Sequence, residues 1–361
     1  LAAILDAKGD DAGALQKAEQ AVVLDPGLAA AHFNKGVALQ GLGQSAAAID
    51  SYRRTLALEP GHAAAALNQG EAFFALGALA EAERAYARAR DIDPAFAKAS
   101  VNLADLRLAE GNPAAALSEI DKFLGVVPGH PSALAFRAFA LRDLGDTGQA
   151  RVLDDPDRFI VARPLEAPAG YADIAAFNAA LAAHVLGHPT LTPSPKAHAT
   201  RSGRHSGELL AEPLGPMAAF QDQIMAAFKA YRRRFLGEAS HPFLDRCPDP
   251  VTLSVWAVVM DAEGHQVPHI HPAAWLSGVY YVEVPDSIDA EDPEHAGWIE
   301  FGRPPQDIHA QHQPAVRLIK PESGLMLLFP SYFYHRTVPL QGHAQRISIA
   351  FDVMAATDAL P

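Results

Sequence analysis

The sequence predicts a multidomain chain, with an all-α repeat array over residues 1–150 and an α+β domain around a short-stranded antiparallel sandwich or barrel over 151–361. Three observations predict it. First, three residue types recur every 34 positions: proline at Pro26, Pro60, Pro94 and Pro128, glycine at Gly9, Gly43, Gly77, Gly111 and Gly145, and alanine at Ala14, Ala48, Ala82, Ala116 and Ala150. Three independent registers sharing one period identify a repeat. Second, the period stops after Ala150, and Asp154, Asp155, Pro156 and Asp157 form a turn-rich boundary. Third, from Thr252 onward short apolar or alternating runs (252–260, 276–284, 297–301, 315–319, 324–329 and 345–353) are separated by turn residues, with no helical pattern between them.

Each repeat reads as two helices. Between residues 27 and 42 the apolar positions fall at helical spacing and end at Gly43, which suits the left-handed turn after a helix. A second helix over 45–58 stops before Pro60, which cannot continue it. Small residues at Gly36, Gly70, Ala104 and Ala138 let the first helix approach its partner, and Tyr52 and Tyr86 fill the gap between units. The pattern resembles the tetratricopeptide repeat, with complete units at 27–60, 61–94 and 95–128 and part-units at 1–26 and 129–150. That resemblance implies a right-handed superhelix whose concave groove holds a protein or peptide. A structural spacer or homodimer contact is the other use of such an array. No Lys/Arg clamp for a carboxylate is apparent at the inner-groove positions, so the ligand stays unnamed.

In the second part, Tyr171, Ile174, Phe177, Leu181 and Val185 mark an amphipathic helix over 171–187, and another is predicted over 217–235. Between them, residues 189–207 are rich in Pro, Ser, Thr and Gly and read as a loop that orders on binding or crosses the surface.

Composition narrows the function classes. The chain is 49% hydrophobic and 20% charged, so it can bury a sizeable core. Its net charge of −13 disfavours nucleic-acid backbones and anionic membranes as partners. No run approaches the roughly 18 apolar residues of a membrane helix. Cys247 is the single cysteine, which excludes an internal disulfide and Cys-rich metal sites and fits a reducing compartment; a cytoplasmic location is expected. Residues 1–11 lack the basic start and apolar core of a signal peptide, and the chain begins at Leu rather than Met, which leaves what precedes Leu1 open.

The chemistry points to the β-rich part, where eight of the 16 histidines fall between His265 and His343. His269 and His271 are two apart, so on an extended chain both imidazoles lie on one face and can chelate a divalent metal if a third ligand arrives. The pair alone also suits a polar strand face or a turn. His335, ending an apolar run, is the candidate third ligand. Eleven residues later, alternation places Arg346, Ser348, Ala350 and Asp352 on one strand face and Ile347, Ile349, Phe351 and Val353 on the other. An inward arginine and hydroxyl two residues apart make a fork for a carboxylate. A salt bridge to an internal Asp or Glu is the other reading.

The order His-x-His, then His after 64 residues, then Arg-x-Ser after eleven more resembles the double-stranded β-helix (jelly-roll) oxygenases that use Fe(II) and 2-oxoglutarate. The run from His269 to Val282, with Gly297-Trp-Ile-Glu-Phe301 and Leu327-Leu-Phe-Pro-Ser331, is similar to a bacterial branch often fused to tetratricopeptide repeats. The similarity covers roughly 155–355. It implies metal ligands His269, His271 and His335, with His271 where the usual triad has a carboxylate. A supporting role for His271, with Glu300 or Asp352 on the metal, is the alternative. The resemblance further implies a 2-oxoglutarate distal carboxylate paired with Arg346 and Ser348, with Tyr281 or Ser277 adding a hydrogen bond. Decarboxylation to succinate would accompany hydroxylation of a substrate, for which the repeats suggest a protein or peptide. Trp256, Trp275 and Trp298 are candidate cavity walls. The rivals are a three-histidine cupin-like dioxygenase without 2-oxoglutarate and a non-enzymatic scaffold.

Overall fold

The computed structural model describes residues 10–195, 198–211, 213–235, 241–312, 314–342 and 345–356. Gly9 of the glycine register, most of the segment 1–11 and His343 lie outside the described residues. The chain divides into two compact units, Leu1–Pro128 with His309–Gln311, and Gly129–Ile308 with His312–Pro361.

The first unit is a stack of paired helices: α1 (Asp11–Leu24), α2 (Ala29–Gly41), α3 (Ser45–Leu58), α4 (Ala63–Ala75), α5 (Leu79–Ile92), α6 (Ala97–Ala109) and α7 (Pro113–Val126). Gly43 and Gly77 end their helices at φ of +74° and +71°, the left-handed turn the period demanded. A Cβ on Gly36 would lie 2.4 Å from the Tyr52 ring, and one on Gly70 would lie 2.5 Å from Tyr86. The small residue and the aromatic are therefore one packing device, repeated every 34 residues. Leu39, Ala48, Leu56, Ala66, Ala82 and Leu103 complete the core around those two tyrosines.

The second unit opens with α8 (Pro131–Asp143), α9 (Thr147–Asp154) and α10 (Pro156–Phe159), followed by β1 (Val161–Pro164), α11 (Ile174–Leu186), β2 (Thr192–Pro193), β3 (Thr200–His205) and α12 (Met217–Phe235). The remaining strands are β4 (Val251–His269), β5 (Leu276–Glu283), β6 (Ile299–Phe301), β7 (Arg317–Ile319), β8 (Leu325–Pro330), β9 (His335–Thr337) and β10 (Arg346–Ala355). They form an antiparallel, jelly-roll-like sheet of order β1-β8-β5-β10-β4-β9-β6-β7, with β3 on β4 and β2 on β3. The 19-residue β4 organises this sheet, pairing with β10 along Val251–Met260 and reaching β9 at His269.

Two features differ from the sequence reading. The stretch 189–207 contains β2 and β3 rather than loop alone. Its residues (Thr200-Arg-Ser-Gly-Arg-His205) carry no apolar alternation, so backbone pairing to β4, not side-chain burial, makes them a strand. The repeat period also runs to 150, whereas the units divide at 128/129. Within the second unit, Phe139 of α8 stacks on Tyr334 at 5.8 Å, and the Tyr332 hydroxyl donates to the Leu153 carbonyl.

A truncation tests that grouping. A fragment spanning 129–361 should fold, whereas 155–361 should be poorly soluble and melt well below it. The shorter piece uncovers part of Tyr332 and Phe333, which are nearly fully buried, and fully exposing a large apolar side chain costs about 1.5–3 kcal/mol. Equal melting temperatures for the two fragments would place α8 and α9 outside the second unit's core.

Candidate metal centre

Strand pairing brings the histidines together. His269 is the last residue of β4 and sits opposite His335, the first residue of β9. His271 lies two residues past the strand end, where its backbone N–H donates to the Ser331 carbonyl at 2.9 Å. Ring centroids are 4.3 Å apart for His269 and His335, and 5.2 Å from each of these to His271. One potential ligand atom from each residue lies within 4.8 Å of the others.

The same nitrogen of each ring is anchored. Nδ1 of His269 faces the Val267 carbonyl at 2.8 Å, and Nδ1 of His335 faces the Phe333 carbonyl at 2.9 Å. A carbonyl only accepts, so in both rings Nδ1 carries the proton and Nε2 keeps a lone pair. His271 uses Nδ1 on the Asp352 carboxylate, at 2.8 and 2.9 Å, and its Nε2 is buried without a protein partner. Burial, aided by the neighbouring imidazoles, lowers the His269 pKa to about 4 and holds His335 well below the usual imidazole value. Three imidazoles with possible ligand atoms this close together suit a divalent cation.

One pocket is shared by the three histidines, Tyr281, Thr337, Arg346 and Ser348. Arg346 is 2% exposed. Its guanidinium donates to the Gly297 carbonyl at 2.7 Å, to Thr337 Oγ1 at 3.2 Å and to Met260 Sδ at 3.0 Å, while Nε has no partner. Among the described residues no carboxylate pairs with it, so the alternative of an internal salt bridge is not what the structure contains. Burial lowers its pKa, opposed by Tyr281, whose ring lies 5.6 Å from the guanidinium carbon. Ser348 lines the same pocket but donates its hydroxyl proton to the Val258 carbonyl at 3.2 Å, so it offers lone pairs rather than a free proton.

Other candidates are placed differently. Ser277 is not on the pocket wall; its hydroxyl donates to Asp352 at 2.6 Å, because β5 and β10 pair those two residues directly. Glu300 is held by Arg336 and Arg303 at 2.7 Å each. Burial alone would raise its pKa, but those two cations keep it low. Trp275 is core, stacked on Phe243, and Trp298 packs on His295. Trp256 alone of the three forms a wall near the site. It stacks between His205 and His271 at 6.0 and 5.7 Å, in an outer cleft of about 340 Å³ that also includes His198, Thr200 and Gln266. His198 and His205 escaped the sequence reading with the rest of 189–207; the signal available was a polar strand close in sequence to no core pattern.

A tandem helical repeat is joined to a jelly-roll-like unit in which three imidazoles converge. Residues 254–352 match the family model described as "Putative 2OG-Fe(II) oxygenase", and residues 33–95 match the tetratricopeptide repeat. No curated protein matches the chain. Solved structures similar to it include MamA, at 23% identity and a TM-score of 0.38, covering 42% of this chain and 88% of that one. PilF of Pseudomonas aeruginosa is 24% identical with a TM-score of 0.38, covering 42% of this chain and 68% of its own. YrrB, described as a TPR protein with an unusual peptide-binding site, is 19% identical with a TM-score of 0.35, covering 41% and 77%.

Proposed function

We propose that the second unit is a 2-oxoglutarate- and Fe(II)-dependent oxygenase that hydroxylates a protein or peptide substrate recruited by the repeats. The observation that carries this reading is Arg346. A guanidinium buried without an anion is costly, and this one shares its pocket with a cluster fit for a divalent metal. A ligand with a metal-chelating end and a distal carboxylate satisfies both.

His269, His271 and His335 would hold Fe(II), and Arg346 with Thr337 would hold the distal carboxylate of 2-oxoglutarate. When bound, the iron and 2-oxoglutarate supply the oxidative decarboxylation and hydroxylation chemistry. The chain supplies the rest. Arg346 would fix which end of the bound co-substrate lies away from the metal. The Tyr281 ring, buried against the guanidinium, keeps water away from that ion pair. Trp256, with His205 and His198, walls the cleft through which a substrate side chain would approach.

The repeat unit supports recruitment of a partner. Tetratricopeptide repeats commonly mediate protein interaction, and a cleft of about 500 Å³ here is lined by Arg53, Phe73, Glu81, Arg84 and Arg88, with Arg84 paired to Glu81 and Arg53 to Asp50. A cytoplasmic location belongs to the same proposal, and a homodimer through the repeats is its rival use of that surface.

The test is turnover. Full-length protein loaded with Fe(II) should convert 2-oxoglutarate to succinate slowly without substrate, and faster with a lysate fraction that gains a hydroxyl group. Oxygen consumption without loss of 2-oxoglutarate would favour a cupin-like dioxygenase, and neither activity would leave a binding scaffold.

A further inference from the structure

We propose that Asp352 is the positioning residue of the metal centre, orienting His271 and supplying from one layer out the negative charge that a carboxylate ligand supplies in a two-histidine, one-carboxylate set. The inference rests on the metal reading above and concerns how this chain manages with three neutral ligands.

The three histidines are not equivalent. His269 and His335 donate from Nδ1 to backbone carbonyls, whereas His271 donates to an anion. Both Asp352 oxygens lie within hydrogen-bonding reach of that nitrogen, at 2.8 and 2.9 Å. A carboxylate facing Nδ1 fixes the proton there and the lone pair on Nε2, the buried atom that has no partner. It also makes the ring a stronger donor to a cation. Counting charges, a divalent metal with three neutral imidazoles and one adjacent Asp carries the same net charge as one with two imidazoles and a direct carboxylate. The anion has moved outward by the width of a ring.

Asp352 is itself held. Ser277 Oγ donates to it at 2.6 Å, and β10 pairs it with Ser277 on one side and Ser254 on the other. The Trp256 indole lies along the His271 ring, 5.7 Å away and tilted by 23°, so the ring plane has a second support. That separation matters for the test. Asp352→Asn keeps an acceptor for Nδ1 and removes the charge, while Asp352→Ala removes both.

The experiment is titration of the full-length apo protein with Co(II), read by calorimetry and by the visible spectrum of the bound ion. Wild type should bind one Co(II). Asp352→Asn and Asp352→Ala should each weaken it about 10- to 100-fold, with a changed spectrum, and Ser277→Ala should weaken it less. The melting temperature of the apo Asp352→Asn and Ser277→Ala variants should match wild type, which separates positioning from a merely structural role. Wild-type affinity and spectrum in both Asp352 variants would overturn the proposal while leaving the metal site intact. So would a loss of affinity that follows a loss of apo stability in all three variants. If wild type binds no Co(II), the metal reading fails and this proposal with it.

Discussion

Arg346→Ala should weaken 2-oxoglutarate binding about 30-fold or more while leaving metal affinity nearly unchanged. The guanidinium is fully buried, and its present partners are a carbonyl, a hydroxyl and a thioether. None of these neutralises it. A bound carboxylate would, and deleting one member of a buried ion pair costs about 2–5 kcal/mol, mostly because the other charge is left unpaired. At about 1.4 kcal/mol per decade, this is a large and easily measured loss. The metal should not respond, because the three imidazoles are anchored by Val267, Phe333 and Asp352, none of which contacts Arg346 through a hydrogen bond. Calorimetric titration of 2-oxoglutarate into the Co(II)-loaded variant decides the matter. Arg346→Lys should recover little, since an ammonium lacks the planar two-pronged geometry of guanidinium. Unaltered 2-oxoglutarate affinity in Arg346→Ala would remove the co-substrate assignment and favour the cupin-like reading.

His269→Ala and His335→Ala should each abolish stoichiometric metal binding without melting the repeat unit. Two imidazoles and an unfilled third position hold a divalent ion far more weakly than three, and the repeat helices have their own core around Tyr52 and Tyr86. The two variants check each other. His335 is 5% exposed and packs 4.7 Å from the Phe329 ring, so its loss opens a cavity; His269, at the mouth of the outer cleft, leaves less of one. Elemental analysis after iron loading, with circular dichroism for helix content, reads both effects. Iron content equal to wild type in both variants would show that the metal binds elsewhere.

Much of this molecule is legible in one dimension. The 34-residue period determines the helix pairs, because Gly36 against Tyr52 and Gly70 against Tyr86 are local steric facts that any reader of the spacing can find. Alternation along β10 likewise places Arg346, Ser348 and Asp352 on one face, and two-residue spacing pairs His269 with His271. Such features rest on contacts between near neighbours in the chain. The rest depends on partners that sequence distance hides. His335 reaches His269 through a three-residue strand too short to leave a pattern. Ser277 faces Asp352 because of the β5–β10 register, and one residue of slip would set it opposite Phe351 or Val353 instead. Polar β3 joins the sheet by backbone pairing with β4, without an apolar pattern to announce it, and brings His205 beside Trp256. Helices α8 and α9 continue the repeat period yet belong with the second unit, since apolar faces choose their partners by what lies across from them in space. A sequence records which groups a strand or helix presents; which groups face them is set by long-range pairing, and that pairing made a carboxylate the partner of His271.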